Sequence, residues 1–241
     1  MTEPTVTDQP TFLQELKENL ARVAVPYHEP PSVVLRRRIV VSIIAVIGAA
    51  LLGYSLGRDP GDESFYGLTL ALAGVWALGA LLSRPLHLGH VRFFGRNQRP
   101  VITGSVIGLL LGGVFIVGGL IAREFPALRD YAADVLEFAT QGSLPLVVFI
   151  TVINGLAEEI FFRGALYSAL EKHHPAVIST IVYVVVIGVS TLNPMLTFAA
   201  LVLGAVCAFE RRATGGVLAP ILTHMVWGLI MVLMLPPIFG V

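Results

Sequence analysis

The 241-residue chain has a mean hydropathy of +0.80, with 55% hydrophobic and only 13% charged residues. Its apolar residues fall in long blocks rather than amphipathic periods, which excludes an ordinary soluble domain and predicts an all-α, polytopic membrane protein. Sixteen basic and sixteen acidic residues give a formal net charge of zero, so charge supplies no case for a nucleic-acid partner. The lone cysteine, Cys207, lies in an apolar run and reads as a small core residue that leaves the redox compartment undecided.

The first forty residues lack the charged stub, short apolar core and small-residue cleavage site of a signal peptide, so the amino-terminal segment 1–38 is expected to stay attached. Within it, Phe12, Leu13, Leu16, Leu20 and Val23 recur at helical spacing, and Thr11 with Gln14 offers a capping-box start. A short amphipathic helix before Pro26 is predicted, lying on the membrane surface or against a cytoplasmic loop.

About seven spans should follow, over Ile39–Leu56, Tyr66–Leu82, Val101–Ile121, Leu144–Leu170, Ala176–Leu192, Met195–Phe209 and Val217–Leu235. The fourth is long enough to tilt or to extend past the bilayer. The sixth is short, and fits one continuous bent helix running through Asn193 and Pro194. This divides the chain into the segment 1–38, membrane helices with their loops over 39–143, and a core over 144–241.

Short-loop charges set the expected orientation. Arg36, Arg37 and Arg38 precede the first span and Arg84, Arg92, Arg96 and Arg99 follow the second, whereas Asp59, Asp62 and Glu63 lie between. The loop after the third span is acidic around Asp130, Asp134 and Glu137, and later loops carry Lys172 or Arg211 and Arg212. The amino terminus is therefore expected in the cytoplasm, and the membrane would be the plasma membrane if the cell is bacterial. In the third span Gly104, Gly108 and Gly112 form a small-residue face for close approach of another helix, read as packing within the chain.

The fourth span holds Glu158, Glu159 and Arg163 in an apolar background, where each charge costs roughly 2.5 to 3.5 kcal/mol near a helix centre. Asn154, Glu158 and Phe162 share one helical face, while Glu159 and Arg163 form a second pair rotated by about 100°. Glu159 and Arg163 can neutralise each other. Glu158 is left as the less compensated acid, suited to taking a proton from water, although a hydrogen-bonded packing role is the alternative.

His224 lies in the last span, and a rise of about 1.5 Å per residue puts it at a depth similar to Glu158. It reads as an oxyanion-stabilising donor or a metal ligand. His173 and His174 read as solvated loop residues, and Trp76 and Trp227 suit spans and interfaces without implying a cofactor. A water, a base and an oxyanion donor are the minimum for peptide hydrolysis in a membrane.

Glu158-Glu159-Ile160-Phe161-Phe162-Arg163-Gly164 resembles the EExxxR signature of the CAAX-prenyl-protease and bacteriocin-processing (CPBP, also called Abi) intramembrane proteases. Gly215 to His224, through Leu218-Ala219-Pro220-Ile221, is similar to that family's final histidine motif, and Ser179 to Asn193 resembles its middle motif in outline. The likeness covers roughly Leu144 to Leu235. It implies a helical membrane domain that cleaves prenylated or leader-bearing peptides at a site open to one membrane face. Glu158 would activate water, with Glu159 and Arg163 in support and His224 completing the site.

The family resemblance also makes a divalent metal such as zinc a candidate cofactor, but the ligand set departs from the pattern. The middle FxxxH motif reads Ile187-Gly188-Val189-Ser190-Thr191, and Gly228 stands four residues after His224 where asparagine is usual. Asn154, Ser190, Thr191 and Asn193 are the candidate substitutes, and hydroxyl or amide groups replace imidazole poorly at a transition metal. The implied partners are the lipid bilayer and a membrane-associated peptide or protein substrate. Two alternatives stay open: a non-catalytic relative that binds a lipidated peptide or membrane partner, and, ranked lower, a proton-coupled transporter.

Overall fold

The structure, a computed structural model, describes residues 11–23, 29–171 and 173–241; Pro26 and Lys172 lie outside them. Among the described residues the chain forms nine helices and one hairpin. They are α1 (Phe12–Ala21), α2 (Pro31–Leu56), α3 (Glu63–Leu82), β1 (Val91–Phe93), β2 (Arg96–Gln98), α4 (Val101–Ala122), α5 (Pro126–Thr140), α6 (Leu144–Leu170), α7 (Pro175–Thr191), α8 (Pro194–Thr214) and α9 (Leu218–Phe239). Six of the helices, α2, α3, α4, α6, α8 and α9, are long and apolar enough to cross a membrane, and α7 is a shorter apolar helix of 17 residues. Large apolar side chains such as Val46, Ile102, Leu110 and Val189 remain exposed along the spans, as lipid-facing residues must be.

Local chemistry sets the helix ends. Asp62 caps α3 by accepting from the Ser64 N–H at 2.8 Å, and that bond holds its carboxyl below the usual range. The single bent helix expected through Asn193 and Pro194 is corrected: α7 stops at Leu192, whose φ is 51°, and α8 begins anew. Asn193 accepts from the N–H groups of Met195 and Leu196, and Pro194 takes the first helical position. With its own cap, α8 runs 21 residues to Gly215, whose left-handed φ of 75° ends it.

Two elements were read as loops and are ordered. The acidic stretch after α4 is the amphipathic helix α5, which buries Ala132 and Leu136 and leaves Asp130, Asp134 and Glu137 in solvent. The basic stretch after α3 contains the β1–β2 hairpin. Thr11 and Gln14 form the capping box of α1. The buried residue of α1 is not one of its apolar stripe but Glu15, which accepts from the backbone N–H groups of Phe94 and Gly95 at the hairpin tip, both at 2.6 Å. Asn19 exchanges two further bonds with the Arg92 backbone, so α1 rests on the loop between α3 and α4.

The central core lies between α2, α3, α6 and α7 around Val41, Ile44, Leu72, Trp76, Phe161 and Phe162. Trp76 is only 1% exposed, with its ring centroid 4.8 Å from that of Phe161, so it is a core residue rather than an interfacial one. The glycine face of α4 receives α9 within the chain. A Cβ on Gly104 would lie 2.6 Å from the Ala219 carbonyl oxygen, and one on Gly108 would lie 2.8 Å from that of Thr223. Gly104→Val should therefore destabilise the protein by about 1–3 kcal/mol, seen as a lower unfolding temperature in detergent. Gly113→Ala, on the same helix but facing open space, should leave that temperature unchanged.

Candidate active site

The acids of α6 stand where that helix changes its winding. It is α-helical from Leu144 to Glu159, π-helical from Ile160 to Leu166, and α-helical again to Leu170. Such wide turns shift the side chains that follow relative to those before, and recur at functional sites. The Arg163 carbonyl within the π segment accepts from Arg211 Nε of α8 at 2.8 Å, and the Arg211 guanidinium lies 4.8 Å from the centre of the Tyr167 ring. Arg211, read from the sequence as a loop charge, thus buttresses the helix that carries the acids.

Glu159 and Arg163 are both fully buried and joined at 3.0 Å between Oε1 and Nη1. Arg163 Nη2 donates to the Gly204 carbonyl of α8 at 3.0 Å, and its guanidinium lies 4.6 Å from the centre of the Tyr183 ring on α7. The same Glu159 oxygen lies 2.9 Å from His224 Nδ1 of α9. One carboxylate therefore ties α6 to α9 directly and, through Arg163, to α7 and α8. Two glycines make room: a Cβ on Gly204 would sit 3.1 Å from Arg163 Nη2, and one on Gly155 would sit 3.2 Å from His224 Cδ2.

Glu158 makes no direct hydrogen bond to Arg163 or His224 among the described residues. It is half-buried, its Oε2 accepts from the Tyr183 hydroxyl at 2.8 Å, and its charge lies close enough to His224 to interact. No hydrogen bond engages its Oε1 among the described residues. One turn earlier, Asn154 donates to its own helix at Ile150, while its buried Oδ1 has no partner among the described residues. The sequence reading missed Tyr183; its signal was a polar-tipped aromatic in mid-span, at the depth the acids require.

The other proposed substitutes go elsewhere. Ser190 donates to the Ala49 carbonyl of α2 at 2.8 Å, Thr191 accepts from the Asn193 N–H, and Asn193 caps α8 and donates to the Tyr131 carbonyl. Ile187 is buried in the core. The Ile187–Thr191 register thus supplies nothing to Glu158, and α7 contributes Tyr183, two turns before Thr191. His173 and His174 are exposed, and Cys207 is buried against Leu111 and Leu203.

No three His, Cys, Asp or Glu side chains converge on a common point among the described residues. Among the described residues, the polar groups acting on Glu158 are His224, with Nδ1 turned to Glu159, the phenol of Tyr183, and the already paired Glu159 and Arg163. Catalytic zinc takes three protein ligands, so this donor set does not fit it. The buried ion pair makes a direct prediction. Arg163→Met leaves Glu159 buried without its cation and should cost about 3–5 kcal/mol, read as a large fall in unfolding temperature.

Residues 140–230, less than half the chain, match the family described as Rce1-like, type II CAAX prenyl endopeptidase Rce1-like. No curated protein and no solved structure matches the chain. The matched stretch contains Glu158, Glu159, Arg163, Tyr183 and His224, that is, every side chain of the constellation described above. Through this segment the all-α, polytopic membrane protein is similar to the Rce1-like family of type II CAAX prenyl endopeptidases.

Proposed function

We propose that the protein is an intramembrane endopeptidase that cleaves prenylated or leader-bearing peptides at Glu158. The observation that carries this reading is the division of labour between adjacent acids. Fully buried Glu159 is ion-paired to Arg163 and bound to His224 through Oε1, its Oε2 enclosed without a partner among the described residues, whereas half-buried Glu158 has no cation paired to it and is held by Tyr183 alone beside the histidine.

In this scheme Glu158 takes a proton from a water as the water oxygen bonds to the scissile carbonyl carbon. The carbonyl electron pair moves onto its oxygen, and His224 Nε2–H donates to that oxyanion. The Glu159 carboxylate beside Nδ1 fixes the orientation of the ring. Collapse of the intermediate breaks the C–N bond, and the leaving nitrogen takes the proton from Glu158. Tyr183 holds Glu158 in place, and the unpartnered Asn154 Oδ1 offers an acceptor for the second water proton.

Residues 144–241 act as the catalytic core, the helices before it give support, and α1 lies on the cytoplasmic side. The arginine-rich loops support a cytoplasmic amino terminus, in the plasma membrane if the cell is bacterial. A second reading draws on Ile187 and Gly228, which place apolar groups where the family has polar ones: a relative that binds a lipidated peptide or membrane partner without cutting it.

Cleavage of a prenylated and leader-peptide library by the detergent-purified protein separates the two. Glu158→Gln and His224→Ala should each lower cleavage by about 10²–10⁴-fold. Tyr183→Phe, which removes one bond to a charged acceptor, should lower it by about 10–100-fold. If the wild-type protein cuts nothing, yet binds a peptide that either of the first two substitutions releases, the site is a recognition cavity.

A further inference from the structure

A second buried acid lies outside the proposed reaction. Glu210 of α8 is 3% exposed, and its Oε1 is 2.9 Å from Thr223 Oγ1 of α9. Thr223 is fully buried, and its hydroxyl is also 2.9 Å from the Gly104 carbonyl oxygen of α4. Among the described residues, the titratable groups that face Glu210 are Glu159 and Arg163, already paired with each other, and the Cys207 thiol, and its Oε2 has no partner.

A hydroxyl has one proton, and a backbone carbonyl can only accept. If Thr223 gave its proton to an ionised Glu210, two lone-pair oxygens would face each other across the Thr223–Gly104 gap. If Glu210 carries the proton, it donates to Thr223, Thr223 donates to Gly104, and both short contacts are hydrogen bonds. We propose that Glu210 is a protonated positioning residue, whose chain through Thr223 to Gly104 pins α9 to α8 and α4 one residue before His224. A carboxyl group placed this way sets the height and rotation of the imidazole without touching substrate. Gly104 has a second use here, since its missing Cβ lets α9 approach closely enough for Thr223 to reach its carbonyl.

The kinetic part of this inference rests on the peptidase reading; the protonated carboxyl does not. Infrared spectra of the full-length protein at neutral pH should show a carboxylic-acid C=O band that disappears in Glu210→Gln. In the cleavage assay, Glu210→Ala and Thr223→Val should lower kcat by about 10–100-fold with KM unchanged. Glu210→Gln should retain activity, because its amide N–H can replace the acid proton toward Thr223. Absence of the Glu210-dependent band overturns the proposal whether or not the protein proves to be a peptidase. So does a Glu210→Gln variant as slow as Glu210→Ala.

Discussion

A carboxylate that has lost contact with water must be stabilised by the protein around it, and Glu159 draws that stabilisation from Arg163 on its own helix and His224 on α9. Either partner alone would leave a charge imperfectly compensated in a low-dielectric interior. Together they turn a costly group into a fixed point. Arg163 passes the constraint to the Gly204 carbonyl and the Tyr183 ring, and His224 passes it to α9, so four helices take their relative positions from one anion.

The surrounding backbone serves that fixed point. Gly204 and Gly155 admit the guanidinium and the imidazole where a methyl group would crowd them. The π-helical stretch after Glu159 carries Arg163, and Arg211 holds that stretch through the Arg163 carbonyl. Phe161 and Phe162 pack against Trp76 of α3, and Phe162 also packs against Tyr183. Glu158 can then be held by one hydrogen bond from Tyr183, because the rigidity it needs comes from its neighbour. Adjacent residues of the same type thus have opposite duties: one is locked in a buried ion pair, the other is held by a single neutral donor.

The parts of this arrangement that depend on local period were legible in the sequence. Glu159 and Arg163 meet because residues four apart share a helix face, and the depth of His224 follows from helical rise along an apolar block. Tyr183 was hidden because its partner is 25 residues away on another helix, and a motif template drew attention to Ile187–Thr191 instead. Glu210 was hidden by Arg211 and Arg212, which made the end of α8 look like a solvated charge cluster. The break before α8 was readable from Asn193-Pro194, a capping residue followed by proline. In α5 the acids Asp130, Asp134 and Glu137 lie on the solvent side of an amphipathic helix, and counting charge alone concealed the period. The Glu15 latch depends on a hairpin tip with left-handed Phe94 and Gly95, a conformation that Phe does not advertise.

The central claim is that the two neighbouring glutamates differ in kind, and equilibrium unfolding of the single amides Glu158→Gln and Glu159→Gln in the same detergent tests it most directly. Glu159→Gln leaves Arg163 buried without its counter-ion, so the account predicts a loss of about 3–5 kcal/mol. Glu158→Gln keeps an acceptor for Tyr183 and should unfold within about 0.5 kcal/mol of wild type. Equal losses in the two variants, or a larger loss for Glu158→Gln, would contradict the account.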